Sequence, residues 1–357
     1  MPDREPKKIL FLDKVLTKPL KEDRLRGVEV FNVFFLKDLI NAGHEVTLII
    51  HPGWKATMAR ELPDKGNLKI LFTSKFGGKN LGSLAPLWQI RKEKYDTLFL
   101  ANVGDGILIP YRFIQFHKMV EKTVLLAHKV PGNYFVKSLK SDTVVVSINT
   151  RISKSFEAKG FAVMDVYYGI LNTDQFYPPE HRPPDGTIRF GMLGDLSSDW
   201  KGSDTAIAAF KKLPSQVAGK AELHLAAYTK EKPEAEEDSR IFIYDWIDRD
   251  EVGDYLRSLD VMLCLSREID GQMMETFCQA MVQGMLCGLP QITSDVDVLV
   301  EKLEDGGGIT AENEAELVAA MVQLAMDPET RKRSSMAALK TSERYVWNSE
   351  YFIGKYL

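Results

Sequence analysis

Short, unbroken apolar runs recur along this chain and limit its fold more than any other feature. Ile9-Leu-Phe-Leu12, Glu45 to Ile50, Leu68 to Phe72, Asp96 to Ala101, Thr123 to Ala127 and Thr143 to Ser147 are each strand length and too short for a core helix. Between the first two lies Val28 to Ala42, with apolar residues at helical spacing and Gly43 at its end. Strands that are apolar throughout are covered on both faces, which predicts a parallel sheet wound with helices on both sides. A proline-rich polar stretch, Gln175 to Gly186, interrupts the pattern. It then restarts with strands at 187–192, 222–227, 240–244, 261–265 and 291–293 and helices at 201–213, 250–259, 275–286 and 312–326. The fold class expected is α/β, with two Rossmann-like doubly wound parallel-sheet domains facing across a cleft. Ligands of such sheets sit beyond the carboxyl ends of the strands.

A length of 357 residues suits two domains. At 45% hydrophobic and 27% charged, the composition excludes a disordered, collagen-like or coiled-coil chain. No apolar run approaches the ~20 residues of a membrane-spanning helix, and the first residues lack a signal peptide's apolar core. Cys264, Cys278 and Cys287 are too few and too clustered for a disulfide framework. The six histidines show no zinc-site spacing. A cytoplasmic protein is expected. The net charge of −4 hides an imbalance. Residues 1–170 carry 27 Lys and Arg against 17 Asp and Glu, a net of +10, and residues 171–357 carry 19 against 33, a net of −14. With no nucleic-acid-binding module and an acidic balance overall, a nucleic-acid partner is not expected. The basic half suits an anionic partner or a peripheral contact with the inner membrane face.

Four segments carry chemistry. Ser266 to Pro290 reads SREIDGQMMETFCQAMVQGMLCGLP, a strand end, a loop and a helix start, where free N–H groups and the helix dipole favour an anion. Phe190 to Ser203 reads FGMLGDLSSDWKGS, in which Gly194 allows close backbone approach and Lys201 supplies a charge. Tyr167 to Pro178 forms the junction. Arg26-Gly-Val-Glu29 opens the first long helix. Together they make the chain resemble the retaining, nucleotide-sugar-dependent glycosyltransferases of the GT-B fold, family 4 (glycosyl transferases group 1), over nearly its whole length. Glu275-Thr-Phe-Cys278 stands at that family's Glu-Gly-Phe-Gly, and Met285, Cys287, Gly288 and Pro290 match its closing motif. The sequence departs from the family at Asp195, where an arginine is usual, and at Gln283, where the ribose-binding glutamate is usual. A glycine is missing before Gly27, and Asp295 to Glu301 replaces a Gly-Gly-x-Pro-Glu stretch.

The resemblance implies a retaining, metal-independent hexosyltransferase that moves a sugar from a UDP- or GDP-sugar to an acceptor hydroxyl and needs no cofactor. It implies catalytic roles for Glu275 and His128, the latter at the end of the strand Val124 to Ala127 with Lys129 and Asn133 beside it. It implies donor contacts from Lys201, Gly194, Gln283, Phe277, Cys278 and Gly27, and no metal ligands. Read alone, Glu275 is a helix-start carboxylate, Lys201 a surface lysine and His128 a packed core histidine. Residues 1–170 would form the acceptor domain, 171–343 the nucleotide-sugar domain, and 344–357 a helix crossing back to the first domain. The acceptor would be a glycan, a lipid-linked sugar or a small molecule, with the Lys- and Arg-rich region between Asp13 and Arg26 contributing to its site. The departures at Asp195 and Gln283 leave open a non-catalytic sugar-nucleotide-binding or scaffold protein of the same fold. A GT-B enzyme that uses phosphate in place of a nucleotide is the third alternative.

Overall fold

The computed structural model describes residues 5–20, 25, 27–74, 81–129, 132–166, 173–180, 186–196, 198–227, 238–245, 247–269 and 275–357. The junction residues 167–172, Arg26, the proline-rich residues 181–185, most of the acidic loop at 231–239 and residues 270–274 of the Ser266 to Pro290 segment lie outside them. The chain divides into two compact units, Met1–Gly169 with Trp347–Leu357, and Ile170–Val346.

The first unit is built on seven parallel strands: β1 (Lys8–Asp13), β2 (Glu45–Ile50), β3 (Leu68–Phe72), β4 (Tyr95–Ala101), β5 (Val120–Ala127), β6 (Val144–Ser147) and β7 (Val163–Val166). Their order is β3-β2-β1-β4-β5-β6-β7. The direction of winding reverses between β1 and β4, and their carboxyl ends form the topological switch point. Ile9 to Leu12 and Leu98 to Ala101 are fully buried, as unbroken apolar runs require. The pattern predicted six strands here. The seventh escapes it because Val-Met-Asp-Val sits at the sheet edge, with Met164 52% exposed and a register shift against β6.

The C-terminal helix Ser349–Tyr356 packs on this sheet by aromatic contacts. Phe352 meets Phe35 at 5.3 Å and Phe99 at 6.3 Å between ring centroids, and Trp347 meets Phe31 at 5.3 Å and Phe35 at 5.6 Å. The Trp347 indole N–H donates to Asp38 at 2.8 Å, and Tyr351 and Lys355 both reach Asp165 at 2.9 Å. Buried aromatics contribute large apolar areas together with edge-to-face attraction.

The second unit repeats the architecture with β8 (Ile188–Gly194), β9 (Ala221–Ala227), β10 (Ile241–Tyr244), β11 (Val261–Cys264), β12 (Gln291–Ser294) and β13 (Gly308–Ala311). The order is β10-β9-β8-β11-β12-β13, all parallel, with the switch point between β8 and β11. The Tyr255 hydroxyl donates to the Met192 carbonyl at 2.8 Å and lies 2.9 Å from that of His224, tying the helix Val252–Arg257 to β8 and β9. β13 is not expected from the pattern, because the run Gly306 to Gly308 hides it. A Cβ on Gly308 would fall 2.0 Å from the Gln291 carbonyl oxygen, so the glycine is what lets β12 and β13 pair. Helix Pro328–Ser342, also unexpected, follows the N-cap of Asp327, whose carboxylate accepts the N–H groups of Glu329 and Thr330. Among the described residues no helix is long and apolar enough to cross a membrane.

Candidate functional site

The second unit gathers most of the residues singled out from the sequence at its switch point. β8 ends on Gly194, whose φ of 146° suits glycine. The chain then runs through Asp195 to a short 3-10 turn, Asp199–Lys201. The Trp200 carbonyl accepts the Arg267 N–H at 2.8 Å, so this loop is fastened to the segment leaving β11. Gly202 follows with φ 73° and opens the helix Ser203–Lys211. A Cβ there would lie 2.3 Å from the Leu265 carbonyl oxygen, which makes Gly202 the contact point of the two loops.

Lys201 and Glu275 meet at this place. The Lys201 ammonium donates to the Glu275 carboxylate at 2.7 Å, with the two side chains 17% and 9% exposed. The Ser266 hydroxyl donates to the same carboxylate oxygen at 3.3 Å. The other oxygen accepts the N–H groups of Cys278 at 3.0 Å and Thr276 at 3.2 Å. The Trp200 ring lies 4.2 Å from the ammonium. Burial works against the Lys201 charge, but the Glu275 carboxylate outweighs it and holds the lysine pKa above its ordinary value. Burial likewise works against the Glu275 charge, and Lys201 with the backbone donors holds its pKa below the ordinary value. Both groups are therefore ionised. Such a pair repays its lost hydration only through close geometry and added hydrogen bonds, and both are present.

The helix expected from residue 275 begins at Gln279. Cys278 takes a left-handed conformation, φ 59°, and Glu275 to Cys278 form a turn leading into the helix. Phe277 and Cys278 are buried, so a ligand would meet their backbone and not their side chains. Phe277 packs against Tyr345 with centroids 6.1 Å apart. Gln283 lies one turn further along the helix, half-buried, with no side-chain hydrogen-bond partner among the described residues. The three cysteines are free and buried.

Lys302 was not singled out from the sequence. It is fully buried, donates to the Val298 carbonyl at 2.5 Å, and lies 5.0 Å and 5.3 Å from the centroids of Phe277 and Tyr345. Burial lowers its pKa. It packs against Phe277 of the turn, and a lysine between Glu301 and Leu303 gives no sequence signal for that.

His128 and Gly27 belong to the first unit. Gly27 is exposed and opens the helix Gly27–Asn41. His128 follows β5, is 5% exposed and meets the Phe31 ring edge-on at 5.5 Å. Burial holds its pKa down to about 3, so its imidazole is neutral. At the first switch point lies Asp13, fully buried, which accepts the side-chain amides of Asn32 and of Asn102, the latter at 2.8 Å, and the N–H groups of Val15 and Leu16. Burial pushes its pKa up to about 7. A charged residue closing an apolar strand is the signal that could have identified it. Among the described residues no three His, Cys, Asp or Glu side chains converge as metal ligands would.

Residues 187–327, which include Gly194, Lys201, Gly202, Glu275, Gln283 and Lys302, match the family described as glycosyl transferases group 1. No curated protein matches in sequence. Solved structures match over almost the whole length. HepE of Anabaena in complex with UDP and glucose has a TM-score of 0.70 at 16% identity, covering 98% of each chain. A glycosyltransferase from Rickettsia africae has a TM-score of 0.74 at 16% identity, covering 99% of this chain and 98% of that one. Sucrose-phosphate synthase from Thermosynechococcus elongatus has a TM-score of 0.70 at 13% identity, covering 97% of each. The fold is GT-B. Within it, the Lys201–Glu275 pair occupies the part of the chain that the glycosyl transferases group 1 pattern describes.

Proposed function

We propose that this protein is a glycosyltransferase that binds a nucleotide-sugar such as a UDP- or GDP-sugar in its second unit and transfers the hexose, with retention and without a metal, to an acceptor held by the first. The observation that carries this is the ionised, buried Lys201–Glu275 pair at the carboxyl ends of β8 and β11. Glu275 engages one of the lysine's N–H donors and leaves the others for a diphosphate. As the sugar departs, negative charge grows on the diphosphate, and a fixed ammonium stabilises it where water is scarce. The turn into the helix at Gln279 adds N–H groups and the positive end of a dipole. A lysine and backbone donors together supply the neutralisation that a divalent cation supplies elsewhere, so no cofactor is required. The neighbour with UDP and glucose bound supports the donor class. Gln283 holds the ribose as a neutral partner, and His128, neutral through burial, contributes a hydrogen bond without a charge. The protein works in the cytoplasm, with the basic first unit able to approach an anionic membrane surface.

Nucleotide release from UDP- and GDP-sugars tests this. Turnover is expected with one donor, and Lys201→Ala and Glu275→Ala should each lower kcat/KM by about 10²–10³-fold. A second reading, a sugar-nucleotide-binding scaffold, is favoured by Asp195 and Gln283. Tight UDP binding with no release from any donor and acceptor would select it.

A further inference from the structure

The first unit holds two lysines that the donor chemistry does not use. Lys14 directly follows β1, and its N–H donates to the Ala101 carbonyl at 3.3 Å, which pins it to the end of β4. Its side chain lies over Gly104, where a Cβ would stand 2.6 Å from the ammonium. Lys129 follows His128 beyond the end of β5. Strand β4 lies between β1 and β5, so both lysines sit at the carboxyl edge of the same sheet, Lys14 at the switch point and Lys129 one strand beyond it. They are close enough that Lys14, after burial, helps to lower the Lys129 pKa. Among the described residues neither ammonium has an ion pair or a hydrogen bond. The nearby Asp13 carboxylate is already met by four donors of its own. Asn102, beside it, adopts a left-handed conformation, φ 48°.

Two cations near one another without a counter-charge are unfavourable by themselves and become favourable when an anion arrives. Their combined charge matches a dianion better than a carboxylate. We infer that Lys14 and Lys129 form a phosphate-binding subsite at the carboxyl ends of β1 and β5, and that the acceptor is a phosphomonoester. The subsite stands on the first unit alone, whereas its assignment to the acceptor rests on the transfer reaction proposed above. The excess of positive charge in residues 1–170 would draw such a ligand in.

The test uses the full chain with saturating UDP present, so that the second unit is occupied. Lysines are reductively dimethylated with ¹³C-methyl, which keeps their charge, and the Lys14 and Lys129 signals are assigned with Lys14→Met and Lys129→Met. Titration with glycerol 1-phosphate should move both signals, and glycerol should move neither. Each methionine variant should raise the Kd of glycerol 1-phosphate about tenfold, and Lys14→Arg should largely restore it. Unmoved signals, or unchanged binding in the double variant, would overturn the subsite. Glycerate binding as tightly as the phosphate would overturn the dianion assignment. UDP binding and nucleotide release from the donor are read separately with Lys201→Ala, so a failed donor reaction is distinguished from a failed phosphate subsite.

Discussion

Asp13 ends β1, His128 follows β5, and the two titrate in opposite senses. Asp13 is raised from 3.8 to about 7, so the folded state binds its proton more tightly than the unfolded state. Its contribution to stability is complete below pH 3.8 and is lost as pH rises through 7. His128 is lowered from 6.5 to about 3, and its contribution is complete above pH 6.5 and lost as pH falls through 3. Between about pH 4 and 6.5 the two slopes oppose each other. Asp13→Asn should therefore leave stability rising more steeply with pH in that window, and His128→Gln should leave it falling. Urea denaturation at several pH values measures both slopes, and a wild-type slope in either variant refutes the assignment for that residue. Glu275 and Lys201 were visible in the sequence as positions in a motif, but their contact was not. Motif spacing places a carboxylate near a helix start, whereas the 2.7 Å ion pair depends on β8 and β11 being neighbours.

At the scale of elements, two loops form the second-unit site, and Gly202 is where they touch. Its φ of 73° and the 2.3 Å approach of a would-be Cβ to the Leu265 carbonyl leave no room for a side chain. Gly202→Ala should cost about 2–4 kcal/mol of stability, from conformational strain together with backbone displacement. It should weaken UDP binding more than Gly186→Ala, since a Cβ at Gly186 meets nothing within 4 Å at a comparable φ of 74°. Differential scanning calorimetry and UDP titration of the two variants check this, and equal effects would show that the inter-loop contact is unimportant. The interior strands were legible because burial on both faces leaves an unbroken apolar run. Edge strand β7, partly exposed, and β13, entered through a glycine run, lack that signature. The start of the helix at Gln279 was misplaced by four residues. Glu275 to Thr276 reads as a favourable helix start, but the Glu275 carboxylate turns back to accept the N–H groups of Thr276 and Cys278, and Cys278 goes left-handed.

For the whole molecule, the net charges of +10 and −14 on the two halves of the chain give different salt responses. Lys201 is buried and paired, so UDP affinity should change less than about threefold between 50 mM and 200 mM salt. Glycerol 1-phosphate binding, which relies on an exposed Lys129 and a basic surrounding, should fall several-fold over the same range. Titrations at the two salt concentrations measure both. A steep salt dependence for UDP would mean that the acidic half recruits its ligand by a general field and not by one buried lysine.

The sequence by itself determined the class of fold and the repeat of two parallel-sheet units, because apolar runs with no exposed face have few other ways to be buried. It also marked the Lys201 and Glu275 segments, since close backbone approach, a cation and a helix start leave local signatures. Only the tertiary structure decided which of these groups meet. The Lys201–Glu275 pair, the packing of Lys302 against Phe277, and the placing of Lys14 and Lys129 along one sheet edge all depend on strand order, which brings together carboxyl ends far apart in sequence. A carboxylate closing β1 is ionisable anywhere along the chain. What sets its proton affinity is the burial and the four donors that the assembled sheet and its loops place around it.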